Sequence, residues 1–336
     1  MLRCLELAQL GAGYVAPNPM VGSVIVHEDR IIGEGYHDKY GEAHAEVNAI
    51  NSVEDASLLS RSTLYVSLEP CSHYGKTPPC SDLIIRSAIP KVVIACQDPF
   101  AAVNGTGIAK LRSAGVDVTV GILEKEALEL NRRFVTFHSK KRPYIILKWA
   151  ETADGFVDRI RNDRTESSLK LTSEAANILV HKWRSEEAAI LVGSNTSMLD
   201  DPSLTTRKYK GENPVRILLD TQLKTPIESR IFDDSARTIV YTASNKKVNA
   251  ELVQTSSPLD LNRILNDLHE RGIQSVLVEG GPTIHKTFYE AGPWDEIRRF
   301  VSPSSIQIGV ETIHLKIEPE TVESIGSDML LTYRNR

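Results

Sequence analysis

The sequence predicts an α/β protein made of two successive units. Strand-like β-branched runs alternate with helical stretches through the 336 residues. Such alternation argues for a largely parallel or mixed sheet with helices on its faces. The pattern breaks at the polar, basic segment His138-Ser139-Lys140-Lys141-Arg142-Pro143 and then restarts. A chain of this length suits two domains of roughly 100–200 residues each. The expected units are residues 1–140 and 143–336, with the basic segment as linker.

In the first unit, residues 2–9 carry a modest helical stripe. Residues 20–26 and 31–36 are strand-like runs on either side of a polar turn, and residues 43–53 read as a helix. Residues 63–68 alternate as a strand, 81–87 as a helix and 91–96 as a buried strand. A helix over 107–114, a strand over 116–120 and one helix over 124–134 complete it. In the second unit, residues 144–149 form a strand. Residues 173–186 form a helix opened by a Thr172/Ser173 cap, and residues 188–192 a buried strand ending at Gly193. Further strands are expected at 215–219, 238–241 and 275–278, with a helix over 259–270 between the last two.

Composition excludes several classes. Hydrophobic residues make up 41% and charged residues 25%, so the chain can bury a core and is not disordered. The net charge of −5 argues against a general nucleic-acid binder. Four cysteines are too few for a disulfide scaffold. No apolar run is long enough for a membrane span. An acid at Glu6 interrupts what would be a signal-peptide core, so a cytoplasmic location is expected.

Three short stretches carry chemistry: His44-Ala45-Glu46 at a helix start, Pro70-Cys71 after a strand, and Pro78-Pro79-Cys80 at the next helix start. One imidazole and two thiolates suit Zn²⁺, and three protein ligands leave a position for water. A helix N-terminus favours thiolate. Glu46, two residues from His44, can reach that water without ligating the metal and so move protons. Each residue alone is unremarkable: His-x-Glu usually marks a solvated helix face, and a lone cysteine is usually an inert small hydrophobe. The ordered set matches the H-x-E…P-C-x-x-C signature of zinc nucleobase deaminases, except that eight residues separate the two cysteines instead of two. Cys4 and Cys96 read as packing residues.

The longer loop Pro70-Cys71-Ser72-His73-Tyr74-Gly75-Lys76-Thr77-Pro78-Pro79-Cys80 resembles the RibD family of bifunctional riboflavin-biosynthesis enzymes. So do Pro17-Asn18-Pro19-Met20-Val21-Gly22, Gly41-Glu42-Ala43-His44-Ala45-Glu46-Val47 and Gln97-Asp98-Pro99. The resemblance covers almost the whole chain. It implies a three-layer domain like that of cytidine deaminases, followed by an α/β domain like dihydrofolate reductase. It implies one zinc per chain on His44, Cys71 and Cys80, with Glu46 as proton shuttle. Asn18 would contact the base, and His37, His73 and Lys76 the ribose phosphate. The expected reaction is hydrolytic deamination at C2 of a phosphorylated pyrimidine ribotide.

Without that resemblance the second unit says less. It has no G-x-G-x-x-G after a strand, and Gly11-Ala12-Gly13 in the first unit follows a helix. Val278-Glu279-Gly280-Gly281-Pro282-Thr283 leaves an apolar strand for a helix, where backbone N–H groups can meet phosphate. Gly193-Ser194-Asn195-Thr196 and Leu199-Asp200-Asp201-Pro202-Ser203-Leu204-Thr205-Thr206-Arg207 form a second cluster, read as a loop. With Lys148, Asp154-Gly155 and Arg184, these are similar to the family's reductase half. The resemblance implies NADPH contacts at Glu151, Lys170, Thr196, Asp200, Thr221 and Gly281, Pro282, Thr283, Ile284, His285, Lys286 and Thr287. It implies substrate contacts at Ser168, Arg184, Leu204, Arg207 and Glu279, the two arginines clamping phosphate. NADPH would reduce the ribosyl group to a ribityl chain.

Three stretches depart from the family. Residues 156–164 form a longer, more charged loop, Lys170 stands where Trp is usual, and residues 301–309 are only a loose late strand and glycine turn. A deaminase whose second half is structural or oligomerising is the alternative, and a nucleoside or tRNA deaminase is a third. The expected partners are the ribotide and further copies of the chain as a homo-oligomer, with neither nucleic acid nor membrane.

Overall fold

The computed structural model describes residues 1–74, 78–100, 103–256 and 258–335. The chain divides into two compact units, Met1–Arg142 and Pro143–Arg336.

The first unit runs α1 (Leu2–Gln9), β1 (Gly22–His27), β2 (Arg30–Tyr36), α2 (Ala45–Asn51), β3 (Thr63–Val66), α3 (Cys80–Arg86), β4 (Lys91–Ile94), α4 (Thr106–Ser113), β5 (Asp117–Val120), α5 (Glu124–Leu130) and α6 (Arg132–Lys140). The sheet order is β2-β1-β3-β4-β5, antiparallel through β3 and parallel beyond it. Alternate residues of a strand face opposite sides. Ile25, Leu64 and Ile94 therefore pack with Ala49, Ile84 and Leu111 of α2, α3 and α4. Val24 turns to Cys4 and Leu7 of α1. Helices on both faces give three layers.

The helix expected over 124–134 is two helices. They break at Asn131, whose backbone leaves helical geometry and whose side chain accepts from Met20 N at 2.8 Å and donates to Met20 O at 2.9 Å. An asparagine amide that serves as a second backbone for a distant strand interrupts a helix. The basic segment read as a linker is helical through Lys140, because Phe134 and Phe137 on α6 are buried.

The second unit runs β6 (Tyr144–Glu151), β7 (Phe156–Asp158), α7 (Glu174–Glu186), β8 (Ala189–Gly193), α8 (Ser194–Asp200), β9 (Val215–Leu219), β10 (Thr238–Thr242), β11 (Glu251–Gln254), α9 (Leu261–Glu270), β12 (Ser275–Val278), α10 (Pro282–Ala291), β13 (Glu296–Val301), β14 (Val310–Glu311), β15 (Thr321–Ile325) and β16 (Asp328–Arg334). The main sheet is ordered β11-β10-β9-β8-β12-β6-β13-β16-β15. It is parallel from β11 to β13, and β16 and β15 are antiparallel. Ser173 caps α7 by accepting from Ala176 N. The stretch after Gly193, read as a loop, is the helix α8. Part of the loop expected over 156–164 is β7, paired with β14.

One feature of this order positions a site. The chain leaving β8 goes through α8 to β9, whereas the chain leaving β12 goes through α10 to β13, on the other side of β6. The two connections diverge, so a crevice opens at the carboxyl ends of β8 and β12. Open parallel sheets bind ligands at such switch points. Among the described residues, no helix is long and apolar enough to cross a membrane.

Candidate active sites

In the first unit, His44 is the N-cap of α2, Cys71 lies in the loop after β3, and Cys80 opens α3. The His44 Nδ1 atom lies 3.6 Å from Cys71 Sγ and 3.3 Å from Cys80 Sγ. The three donor atoms are within 4.8 Å of one another. Three soft donors converging in this way fit Zn²⁺.

Cys80 sits at the helix start, yet its thiol is pushed up, first by its hydrogen bond to Cys71 and then by burial. Cys71, which is not on a helix, is drawn down to about 4, first by the Cys80 thiol, against burial, and further by His44. The Cys80 backbone N–H donates to Cys71 Sγ at 3.3 Å. The first N–H of α3 thus serves the neighbouring sulfur.

Glu46 occupies the first turn of α2 and is buried. Burial, then the Cys71 charge, raise its carboxyl to about 7, with His44 pulling the other way. A carboxyl poised near neutrality beside a metal site can both take and give a proton. His37 is buried with its ring centroid 5.4 Å from that of His44. Its Nδ1 lies 3.0 Å from Ala43 O and its Nε2 lies 3.0 Å from Asn18 Nδ2. These contacts make Nδ1 the donor, and Nε2 accepts from the asparagine. Asn18 and His37 therefore act as one unit beside the donor set. His73 is exposed, its ring 6.4 Å from that of Phe100. Lys76 lies outside the described residues. Cys4 and Cys96 are buried, and burial pushes their thiols up to about 11 and about 12.

Sequence reasoning missed Glu69, two residues before Cys71. Its buried carboxylate accepts from Asp98 N at 3.2 Å, Gly105 N at 2.9 Å, Gly107 N at 2.9 Å and Ile108 N at 3.1 Å. It caps α4 and ties that helix to the zinc-ligand loop. Gly107 is required there, because a Cβ would come within 2.0 Å of Pro70 O. The signal was present in the motif Glu69-Pro70-Cys71, but its partners are backbone atoms some thirty-six residues away.

In the second unit, Lys148 on β6, Arg184 on α7 and Glu279 after β12 meet. Arg184 donates to both Glu279 oxygens, at 2.9 and 2.7 Å, and Lys148 Nζ lies 3.7 Å from Glu279. Burial alone would raise the Glu279 carboxyl. Arg184 and Lys148 outweigh it and hold the group down at about 2. Burial, then Arg184, lower Lys148 against the pull of Glu279. Arg207 is exposed and donates to Thr205 Oγ1 at 2.9 Å. Its pKa is lowered by partial burial and by the charges of Arg184 and Arg230. Arg184 and Arg207 both reach Thr205, at its carbonyl (3.3 Å) and its hydroxyl (2.9 Å) respectively. His181 lies beside them, and burial and the same two arginines lower it to about 4.

The remaining expected residues divide. Gly281 N donates to Thr196 Oγ1 at 3.0 Å, so the α8 and α10 ends meet across the switch-point crevice. The α10 helix starts at Gly281 and Pro282 with no side-chain cap. Its first turn includes Thr283 and Ile284, and Ile284 packs on Gly193. An uncapped helix end framed by Gly193, Gly280 and Gly281 fits a dinucleotide pyrophosphate. His285 is buried below, while Lys286 and Thr287 face solvent one turn on. The Glu151 side chain is consumed by Trp149 Nε1 at 2.7 Å and by Arg299, leaving its backbone to meet a ligand. Leu204 is buried in the core with a left-handed backbone, φ 53°, so it too can offer only backbone. Asp200 is paired with Arg161, which also holds Asp158 at 2.7 Å and Leu199 O at 3.1 Å. The unusually charged loop is thereby fastened to the end of α8. Ser168 and Lys170 are exposed, and Thr221 lies just beyond β9.

The first unit thus has the architecture and donor set of the zinc-dependent nucleobase deaminases, and the second is a dihydrofolate-reductase-like α/β unit with an open switch-point crevice. Residues 1–96 match the family model of the cytidine and deoxycytidylate deaminase zinc-binding region, and residues 143–331 match the RibD C-terminal domain. The chain belongs to the RibD family of bifunctional riboflavin-biosynthesis proteins. It is 40% identical to riboflavin biosynthesis protein RibD of Aquifex aeolicus, over 99% of this chain and 97% of the relative. It is 36% identical to the Escherichia coli protein of that name, over 90% and 86%. A diaminohydroxyphosphoribosylaminopyrimidine deaminase/5-amino-6-(5-phosphoribosylamino)uracil reductase from Thermotoga maritima superposes with a TM-score of 0.90 at 38% identity, covering 99% of this chain and 97% of that one. RibD of Acinetobacter baumannii superposes at 0.88 and 30%, covering 98% and 96%.

Proposed function

We propose that residues 1–140 deaminate a diaminopyrimidine ribotide 5′-phosphate at C2, and that residues 143–336 then reduce its ribosyl group with NADPH. The observation that carries the first step is the buried Glu46 beside His44, Cys71 and Cys80. His44, Cys71 and Cys80 would hold zinc, which would bring the pKa of a water to about 7 and so make it a nucleophile at neutral pH. Glu46 takes the water's proton and delivers it to the departing 2-amino group. One oxygen is gained at C2 and one ammonia leaves. Asn18, oriented by His37, offers an amide to the base, and His73 and Lys76 receive the phosphate.

In the second unit, NADPH supplies a hydride for C1′ of the ribosylamino group. Lys148, largely buried beside Glu279, can give the proton that the opening ribose oxygen needs. Glu279 holds Lys148 and Arg184 in place. Arg207, with Arg184 behind it, receives the substrate phosphate, and Ser168 and the Leu204 backbone line the same side. Glu151, Lys170, Thr196, Asp200, Thr221 and residues 281–287 line the cofactor path, with the first turn of α10 nearest its phosphates. The protein works in the cytoplasm as a homo-oligomer.

The test is incubation with the 2,5-diaminopyrimidine ribotide, with and without NADPH, followed by mass detection. Without NADPH the product should gain about one mass unit, as NH₂ becomes OH. With NADPH it should gain about two more. Absence of the first shift overturns the deaminase, and absence of the second alone overturns the reductase.

A further inference from the structure

We propose that Lys246 and Lys224 hold the 2′-phosphate of NADPH, and so choose NADPH over NADH. This rests on the reductase reading above. The direction of the cofactor follows from the sheet. The reacting end must meet Lys148, Arg184 and Glu279, on β6, on α7 and after β12. The pyrophosphate fits the crevice between β8 and β12. The adenosine then extends away from β6, over the carboxyl ends of β9 and β10. With strands about 4.8 Å apart, β10 lies roughly 14 Å from β12 along the edge.

The loops leaving β9 and β10 are locked together at that place. Thr221 O accepts from Ala243 N at 2.9 Å and from Thr242 Oγ1 at 3.2 Å. The turn after β9 is closed by the buried Asp220, whose carboxylate accepts from Lys224 N at 3.0 Å, Thr225 N at 2.8 Å and Thr225 Oγ1 at 2.8 Å. From the second loop, Lys246 Nζ crosses to Leu223 O at 3.4 Å, the residue before Lys224. Two exposed ammonium-bearing residues therefore share one rim, with Lys247 next in the chain. Asp220 is the one acid within residues 220–225 and 242–248, and it is consumed by the turn. Among the described residues, neither lysine has a carboxylate partner.

A rim with uncompensated positive charge suits a phosphate monoester, which carries nearly two negative charges at pH 7. Lysine binds phosphate as a point charge. A 2′-hydroxyl, as in NADH, draws little from it.

The experiment is dissociation-constant measurement for NADPH and NADH by tryptophan quenching on the full chain. Wild type, Lys246→Ala and the Lys224→Ala/Lys246→Ala pair are compared, with melting temperature as the fold control. The pair should weaken NADPH about tenfold or more, since two charged contacts are lost, and should leave NADH within about twofold. Competition by 2′-AMP should be lost with it. Lys→Gln at both positions keeps hydrogen bonding without charge and should show the same selectivity loss. An unchanged NADPH-to-NADH ratio in a normally folded pair, or equal weakening of both, overturns the proposal. Wild-type protein that binds neither dinucleotide overturns the reductase reading itself.

Discussion

Glu46 shows how much a single position can carry. Its burial disfavours the carboxylate, and a carboxyl shifted in this way toward neutrality is suited to the proton transfer proposed for it. Glu46→Gln keeps volume and all three ligands, and deamination should fall by at least about 10²-fold with zinc content unchanged by elemental analysis. Glu69 works differently, through the backbone. Glu69→Gln turns an amide NH₂ toward backbone N–H groups that now meet oxygen. A loss of about 2 kcal/mol in stability and weaker zinc retention against a chromophoric chelator are expected. Normal zinc retention would confine Glu69 to capping α4. Arg207→Ala tests the other unit: the reductase KM for the ribotide should rise about tenfold, with the NADPH dissociation constant unchanged. An unaltered KM would return Arg207 to solvent. The zinc donors and Glu46 were legible in the sequence because their chemistry is in the side chains and their order follows a recurring motif. Glu69 was not, because its partners are main-chain groups with no sequence signature. Nor was the Arg184–Glu279 pair, ninety-five residues apart, which leaves Arg207 as the outer half of the clamp.

Elements with strong local patterns, such as α1, α7 and the buried strands β8, β9 and β12, were legible to within a residue or two. Those shaped by distant partners were not. Asn131 splits α5 from α6 for the sake of Met20, and α8 follows Gly193 in seven residues with little apolar periodicity. Also unread were β13, β15 and β16, whose partners in the sheet lie far away in the sequence, β13 beside β6 among them. The α10 helix carries a further consequence. His285 is buried, its Nε2 donating to Val278 O at 3.1 Å and its ring 5.2 Å from that of Trp149. Burial lowers its pKa to about 4. The unfolded chain, with an ordinary histidine near 6.5, binds a proton that the native state refuses between these values. Stability from this helix packing is therefore full above pH 6.5 and falls as pH drops toward 4, by up to about 3 kcal/mol. Urea midpoints of the second unit should decline from pH 7 to pH 4.5. Glu279 does not confuse the window, since its depressed pKa costs stability only below the ordinary carboxylate range. His285→Leu should make the decline shallower, with His181, also lowered to about 4 in this unit, supplying the remainder. An equally steep curve in that variant would place the titration elsewhere.

At the scale of the whole molecule, the two units have separate cores. One is centred on Ile25, Leu64, Ile84 and Ile94, and the other on Ile145, Leu191, Ile217 and Val278. Their chemistries are separate as well. The converging His/Cys set is in the first unit, where His44 comes from the N-cap of α2, Cys71 from the loop after β3 and Cys80 from the first turn of α3. Zinc in such a set closes a loop between α2 and α3 and contributes to the stability of that unit. The second unit draws its order from a nine-stranded sheet and from ion pairs such as Arg184–Glu279. Removal of metal should therefore act on one activity. Dialysis against a strong chelator should abolish deamination and lower the melting temperature of the first transition. Reduction of pre-deaminated ribotide by NADPH should continue at its former rate. Restoring about one equivalent of Zn²⁺ should bring deamination back. Expressed alone, residues 1–142 should fold and bind the metal, since they carry their own core. Loss of both activities in parallel on chelation, with no change in the second thermal transition, would show that the reductase depends on zinc and that the two units do not divide the chemistry in this way.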